Sequence, residues 1–347
     1  MEGGNDKPVR LRWGLIGSSG FSDAIFAPAL RNAGQRLLGA AGSHPEGSAA
    51  FAGRHGCPRT YDSLPALLHD PDIDAVWIAS PNHLHAEHAR AAIEAGKHVL
   101  AEKPLAITGG DAKALVALAQ ERGVRIGVGY QGRFHPALRE LRELLHAGAL
   151  GEVAFVRASW QTQYAGLPDA WRLQAETSGG WSIMDIGTHA LDAALWLTGF
   201  PDYRLVGSRL STQHWPVALD DLAVLLLQLG AATGVVEAAT GVQGPANRVE
   251  VYGTAGWAIA TGVFVPRLGA ARGELTASDG ARRSYDSAPN PYEAQLAAFA
   301  AWTKGGEYAG ATGAEGAVNI AILEEARENQ SGGGRTSRES EERVDSR

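Results

Sequence analysis

Lys103 stands between an acid and a proline in Val99-Leu100-Ala101-Glu102-Lys103-Pro104, at the end of an apolar run that reads as a buried strand. Desolvation disfavours the charged ammonium, so a lysine at that place needs a partner or a task. Pro104 stiffens the chain beside it. A second cluster, Ser178 to Asp192, carries Asp185 and His189 four residues apart, which places them on one face of a helix, with Asp192 three further on. That helix also carries Ile183, Leu191 and Leu195, so an acid and a histidine turned toward its core call for a reason. Acid–base chemistry is one reason. A carboxylate steadying a core histidine is another. Asp185 and His189 would also serve as two metal ligands, but no further Cys/His cluster at metal spacing supports that, and no metal is expected. His83, His85 and His88 form a third group, read as cap and surface residues with His85 nearest the cleft.

The elements that must position these residues follow from the pattern of apolar runs. Strands are expected at Leu11–Ile16, Arg36–Gly42, Asp74–Ala79, Lys97–Ala101 and Val124–Val128, with a short one near Thr60–Tyr61. Helices are expected at Phe21–Asn32, Ser48–His55, His83–Ala95 and Gly110–Arg122. Strict alternation of this kind predicts a doubly wound parallel sheet. After Gly129 the pattern changes. Helices at His135–Ala147 and Ile183–Leu197 mix with strands at Glu152–Thr162, Leu222–Leu229, Val235–Thr240, Arg248–Tyr252 and Trp257–Thr261. The turn Gly230–Gly234 makes its two flanking strands antiparallel neighbours. Helices at Tyr292–Lys304 and Ala314–Asn329 follow. The expected fold is α/β: an N-terminal Rossmann dinucleotide-binding domain over 9–129, then an α+β domain over 130–330 with an open, mostly antiparallel sheet. The tail 331–347 has almost nothing to bury and is expected to be disordered.

Between the first strand and first helix lies Gly14-Leu-Ile-Gly17-Ser18-Ser19-Gly20, followed by Phe21, where a pyrophosphate meets a helix N-terminus. The fingerprint G-x-G-x-x-G is broken: counted from Gly17, its second glycine is Ser19. Ser19 either costs affinity or donates its hydroxyl to a phosphate. The second strand ends at Ser43-His44, where NAD sites carry an acid. Without that carboxylate a 2′-phosphate is not repelled, and both residues are able to donate to one. NAD(P) is therefore the expected cofactor, with NADP(H) slightly favoured.

These segments resemble the Gfo/Idh/MocA family of oxidoreductases over roughly Arg10 to Asn329. Asp72 to His85, with Ser80-Pro81-Asn82-His-Leu-His85, resembles the family's strand and P-N-x-x-H loop; Glu102-Lys103-Pro104 is its E-K-P signature; Gly180 to Asp192 matches its G-G-x-x-x-x-D-x-G-x-H-x-x-D block. Trp171-Arg172-Leu173 and Asn290-Pro291-Tyr292 are also family-like. The resemblance implies roles. Lys103 would sit beside the nicotinamide and hydrogen-bond the reacting sugar oxygen, His189 would move the hydroxyl proton with a pKa near neutrality, and Asp185 would bind a substrate hydroxyl and orient the histidine. Ser80, Asn82, His85 and Glu102 would line the cofactor, Trp171 and Arg172 would close over it, and the Lys103–Pro104 bond would be cis. Tyr130 and Arg133, in Gly-Tyr-Gln-Gly-Arg133-Phe-His-Pro, would face the substrate. Ser19 and Ser43 are similar to the 1,5-anhydrofructose reductase branch, whereas the Tyr130–Arg133 segment is closer to generic sugar dehydrogenases. Trp181, which replaces a frequent third glycine, would narrow the pocket, stack on a sugar or fill the core.

The chain has 347 residues, 45% hydrophobic and 20% charged, a formal net charge of −7 and one cysteine, Cys57. No basic stripe suggests a nucleic-acid partner, no apolar run suits a bilayer, and no intrachain disulfide can form. A cytoplasmic enzyme is expected, acting on a carbohydrate or cyclitol. A non-catalytic sugar sensor of the same fold and a lyase or glycosidase using transient nicotinamide oxidation are the competing readings. Leu222–Leu229 is apolar on both faces, so a homodimer or homotetramer assembled through that sheet is expected.

Overall fold

The computed structural model describes residues 9–244, 247–264, 272–286 and 290–332. Its first half builds β1 (Arg12–Ile16), a π turn (Ser22–Phe26) leading into α1 (Ala27–Asn32), β2 (Arg36–Ala41), α2 (Pro45–His55), α3 (Leu64–Leu68), β3 (Ala75–Ile78), α4 (His85–Glu94), β4 (His98–Ala101), α5 (Gly109–Glu121) and β5 (Ile126–Val128). The sheet runs β5-β4-β3-β1-β2, all parallel, as the alternation required. Every residue of β3 is buried, which is why Ala-Val-Trp-Ile shows no alternation. Thr60–Tyr61 forms no strand. Arg59 makes one backbone bond to Leu38 O (3.0 Å), and its side chain, with the Tyr61 hydroxyl (2.6 Å), turns to Asp70, so this segment caps the sheet edge instead of extending it.

The second half adds α6 (Pro136–His146), β6 (Val153–Gln161), α7 (Ala175–Ser178), a π turn (Ile183–Gly187) running into α8 (Thr188–Leu197), β7 (Tyr203–Ser211), β8 (Leu222–Leu229), β9 (Ala232–Ala239), β10 (Arg248–Gly253), β11 (Trp257–Thr261), β12 (Arg272–Ala277) and β13 (Arg282–Asp286). They form one sheet, β13-β12-β11-β10-β6-β9-β8-β7, antiparallel except for the β6–β9 pair. Strands β7, β12 and β13 were not expected. In β7 and β13, exposed arginines (Arg204, Arg209, Arg282, Arg283) interrupt the apolar alternation that marks a strand. The β8–β9 connection is shorter than read: β9 begins at Ala232, and Gly230 sits in the turn at φ +60°. One face of β8 is fully buried through Ala223, Leu225, Leu227 and Leu229. Its other face leaves Leu222 and Val224 half-buried and Leu226 39% exposed, near Val206 at 47% on β7.

The last elements, α9 (Pro291–Trp302), β14 (Ala311–Thr312) and α10 (Gly313–Gly332), return to the first sheet. β14 pairs antiparallel with β5. From α9, Tyr292, Leu296 and Phe299 join the core that holds Trp13, Leu15, Phe26 and Trp77, with Trp13 and Phe299 rings 5.5 Å apart. α9 and β14 thus pack on the first sheet although they follow the second in sequence, while α10 lies against both α5 and β7. The helix runs to Gly332, beyond the expected Asn329, and the rest of the expected tail lies outside the described residues. No helix among them is long and apolar enough to cross a membrane.

Beneath α8 lies a buried charge cluster. Arg133, 2% exposed, donates to both Asp192 oxygens (2.9 and 2.6 Å) and to Glu315 (3.0 Å), and Asn319 donates to Asp192 (3.0 Å). Removing one partner of such a pair strands the other charge out of water. Arg133→Met should therefore destabilise the fold by about 3–5 kcal/mol. Chemical denaturation reads this directly, and a loss under about 1 kcal/mol would show the pair to be dispensable.

Candidate active site

The loop after β1 is shaped by one glycine. Gly17 has φ +99°, and a Cβ there would lie 2.8 Å from the Ala79 carbonyl and the Ser80 nitrogen. Only glycine lets this loop cross the end of β3. Ser19 is exposed, and its hydroxyl also turns back on the chain. Its Oγ accepts from Ser22 N (3.3 Å), while Ser22 Oγ donates to Gly17 O (2.7 Å). The serine that breaks the fingerprint thus caps the helix that follows, which opens with its π turn. Gly20 has open space where a Cβ would go, and Phe21 sets its ring edge against Tyr292 (6.1 Å). At the tip of β2, Ser43 and His44 are exposed; His44 is the N-cap residue of α2 without a side-chain cap bond. Ser48 Oγ lies buried below them with no partner among the described residues, and a Cβ on Gly42 would be 3.3 Å from it. A donor-lined loop at a helix N-terminus, with no carboxylate at Ser43-His44, fits a dinucleotide phosphate.

Beyond β3, Ser80 Oγ and His88 Nδ1 lie 2.9 Å apart, and Asn82 Nδ2 donates to Ser178 O (2.9 Å), tying the two halves of the chain together. His85 is buried, not superficial. Its Nδ1 is 2.6 Å from Pro104 O and its Nε2 2.7 Å from Ser80 O. Burial outweighs both carbonyls and holds the imidazole down to about 4, so the neutral ring donates to one of the two. His85 thus lies between the P-N-x-x-H loop and the Lys103–Pro104 bond, which is cis, with its one N–H on one of the two carbonyls.

Lys103 Nζ donates to Asp185 O (2.7 Å) and Asp185 Oδ1 (3.0 Å). The same carboxylate accepts from Arg172 Nη1 (3.3 Å) and from the Tyr164 hydroxyl (2.8 Å). Burial opposes its charge, but Lys103 and Arg172 outweigh burial and hold it well below the usual carboxylate range. Arg172 also lies over the Trp171 ring at 4.4 Å, in the 3-10 turn Ala170–Leu173. Asp185 stands in the π turn and His189 in α8, so the regular i,i+4 geometry is broken between them. Asp185 directs its oxygens to Lys103, Arg172 and Tyr164 rather than to the imidazole. His189 is instead boxed by Tyr130 (5.8 Å), Trp160 (5.4 Å) and Phe264 (6.5 Å). Burial first, then Lys103, holds its pKa well below the ordinary value, so it is neutral and not poised near neutrality.

Two residues expected at the substrate sit elsewhere. Tyr130 is buried and its hydroxyl is 2.6 Å from Thr188 Oγ1, so only its ring edge reaches His189. Arg133 points into the Asp192 cluster because an unpaired buried carboxylate there would be far costlier than a guanidinium kept from the cleft. Trp181 is 1% exposed, between Tyr164 and Trp215, and fills the core. Two important residues were missed. Tyr164, just past β6, gave no signal in spacing. Asp220 accepts from Trp181 N (2.8 Å), Ile183 N (2.8 Å) and Ser182 Oγ (2.7 Å), capping the segment that carries Asp185 and His189. The paired acids Asp220-Asp221 before an apolar strand were the available clue. No cluster of potential metal ligands occurs among the described residues.

Lys103, Asp185, Arg172, Glu102 and His189 thus converge where the first sheet's carboxyl ends face the second domain, the usual ligand crevice of such sheets. Residues 11–130 match an oxidoreductase family model described as an NAD-binding Rossmann fold, and residues 138–259 match the GFO/IDH/MocA C-terminal domain. A 1,5-anhydro-D-fructose reductase from Ensifer adhaerens is 31% identical over 312 residues, 89% of this chain and 93% of that one. A levoglucosan dehydrogenase solved with NADH and levoglucosan superposes with a TM-score of 0.79 at 26% identity, over 93% of this chain and 97% of that one. A 3-ketoreductase from Actinomadura kijaniata, solved with NADP and TDP-benzene, also gives 0.79 at 26% identity, over 92% and 98%. With its cofactor crevice in place and both halves matched, the chain belongs to the Gfo/Idh/MocA family of NAD(P)-dependent oxidoreductases.

Proposed function

We propose that this enzyme moves a hydride between a nicotinamide cofactor and a carbinol or carbonyl carbon of a sugar, cyclitol or sugar derivative. The observation that carries the reading is the ammonium of Lys103, fixed by the Asp185 carbonyl and carboxylate at the crevice between the two sheets. The sugar substrates named for the anhydrofructose reductase and the levoglucosan dehydrogenase support the substrate class. The bound cofactor supplies the hydride chemistry. Lys103 hydrogen-bonds the reacting oxygen and stabilises charge developing on it. His189, neutral in its aromatic box, takes the hydroxyl proton in oxidation and returns it in reduction. Asp185 holds Lys103 and Arg172 in place and offers oxygens to a substrate hydroxyl. Gly17, Gly20 and Phe21 border the pyrophosphate, with Ser19 acting through the helix cap; Ser80, Asn82, His85 and Glu102 shape the nicotinamide side; Trp171 and Arg172 cover it.

NADP(H) is favoured by Ser43, His44 and the unpartnered Ser48 hydroxyl where NAD sites carry an acid. A reductase of the anhydrofructose type is the second reading, favoured by the 31% identity over most of both chains. A sensor has no need of the Lys103–Asp185–His189 set, and a lyase would release product without net NAD(P)H change. Screening sugars and inositols against both cofactors separates these readings. We also propose that a second copy covers the outer face of the second sheet, where Val206 and Leu226 lie exposed.

Lys103→Ala should lower kcat by about 100- to 1000-fold while cofactor affinity stays within a few-fold; unchanged kcat would sink the assignment. The depressed His189 pKa means that its base form persists as pH falls, so the acid limb of kcat/KM for the sugar in oxidation, measured at saturating oxidised cofactor, should lie below 6.5, the ordinary histidine value. A limb at or above that value, or one that survives His189→Ala, would count against the histidine. Sedimentation should show a dimer or larger, with Leu226→Glu shifting it toward monomer; a monomer at micromolar concentration would refute the sheet contact.

A further inference from the structure

Glu102 is a carboxyl in the crevice with one oxygen, Oε1, left without a hydrogen-bond partner among the described residues. Its backbone N–H donates to Ile78 O (2.8 Å), which sets it at the carboxyl ends of β3 and β4. Gly129, the first residue beyond β5, lies flat against the carboxyl: a Cβ there would come 3.1 Å from Oε2 and 3.2 Å from Oε1. Oε1 is also buried. The charged and titratable groups facing it are Lys103 beside it, Arg172 from the 3-10 turn, Asp185 from the π turn before α8, and Tyr292 from α9. The Tyr292 hydroxyl accepts from Gln131 Nε2 (2.9 Å). Both cations direct side-chain donors to Asp185, leaving the Glu102 carboxyl to their longer-range attraction and to the Lys103 backbone N–H. Burial pushes it up to about 7, against the pull of Lys103 and Arg172.

An oxidised nicotinamide ring carries a positive charge that the reduced ring lacks. We propose that Glu102 is the countercharge by which this crevice distinguishes the two: ionised it favours the oxidised cofactor, and protonated it leaves the two forms nearly equivalent. The proposal rests on the reading that the nicotinamide half lies over the ends of β4 and β5. Its consequence is a linkage. A cation placed beside the carboxyl lowers its pKa, so binding the oxidised form expels a proton near neutral pH, and affinity for that form rises with pH. Binding the neutral reduced form expels none from this carboxyl.

The test is to titrate oxidised and reduced cofactor of the same type, NADP and then NAD, against the intact protein from about pH 5.5 to about pH 8.5. Affinity for the oxidised form should rise about tenfold relative to the reduced form, the low end of what an adjacent opposite charge does to a carboxyl. In Glu102→Gln the ratio should be flat while the reduced cofactor still binds; a contribution from His189 would survive in that variant. Calorimetry of the unmodified protein in buffers of different ionisation enthalpy should show more proton release with the oxidised form than with the reduced form of the same cofactor, whose phosphates are common to both. Parallel pH dependence of the two affinities, equal proton release, or a Gln variant that keeps the wild-type ratio would overturn the proposal. Failure of either cofactor form to bind the unmodified protein at any pH would overturn the crevice reading beneath it.

Discussion

The ion pair between Lys103 and Asp185 is the constraint around which the rest of this molecule is arranged. One partner comes from the end of β4 in the first sheet, the other from the π turn ahead of α8 in the second domain. Both side chains are about five-sixths buried, at 15% and 17% exposure, where an unpaired charge would be costly. Each half therefore supplies a counter-ion to the other, and Arg172 from the second half adds to the charge around Asp185.

Much of the surrounding structure fixes the two ends of that pair. His85 lies between the Pro104 carbonyl and the loop after β3, and Asn82 ties the same loop to Ser178 across the crevice. Asp220 caps the segment that leads to Asp185, and Tyr164 and Arg172 hold its carboxylate from the open side. The buried Arg133–Asp192 pair anchors α8 to α10 through Asn319 and Glu315, well behind the chemistry. These polar groups are almost all satisfied by protein, which restricts their geometry before any ligand arrives. Glu102 stands out against that background because its buried oxygen is not satisfied.

The π turns at Ser22–Phe26 and Ile183–Gly187 occupy two of the places where a helix begins at the crevice. A π turn widens the helix by one residue and changes which side chains share a face. Its effect is visible in the separation of Asp185 from His189. A four-residue spacing implies contact on a regular helix, but here the acid turns to Lys103 while the histidine enters an aromatic box.

By itself the sequence determined the parallel sheet, the crevice-facing loops, and Lys103 as a residue in need of a partner. Each of these rests on local information: runs of Val, Ile, Leu and Ala that must be buried, a Gly-rich turn between the first strand and first helix, and a cation at the end of an apolar strand. The tertiary structure decided what each polar residue touches. Ser19 became a helix cap because Ser22 and Gly17 lie within reach. Arg133 went to the core because Asp192, 59 residues later, is buried there. His189 lost its near-neutral pKa because Trp160 from β6, with Phe264 and Tyr130 from the segments after β11 and β5, buries it beside Lys103. Strands β7, β12 and β13 and the return of α9 to the first sheet were hidden for the same reason. Periodicity reports burial along one segment, whereas charge state and partner choice depend on groups that only folding brings together.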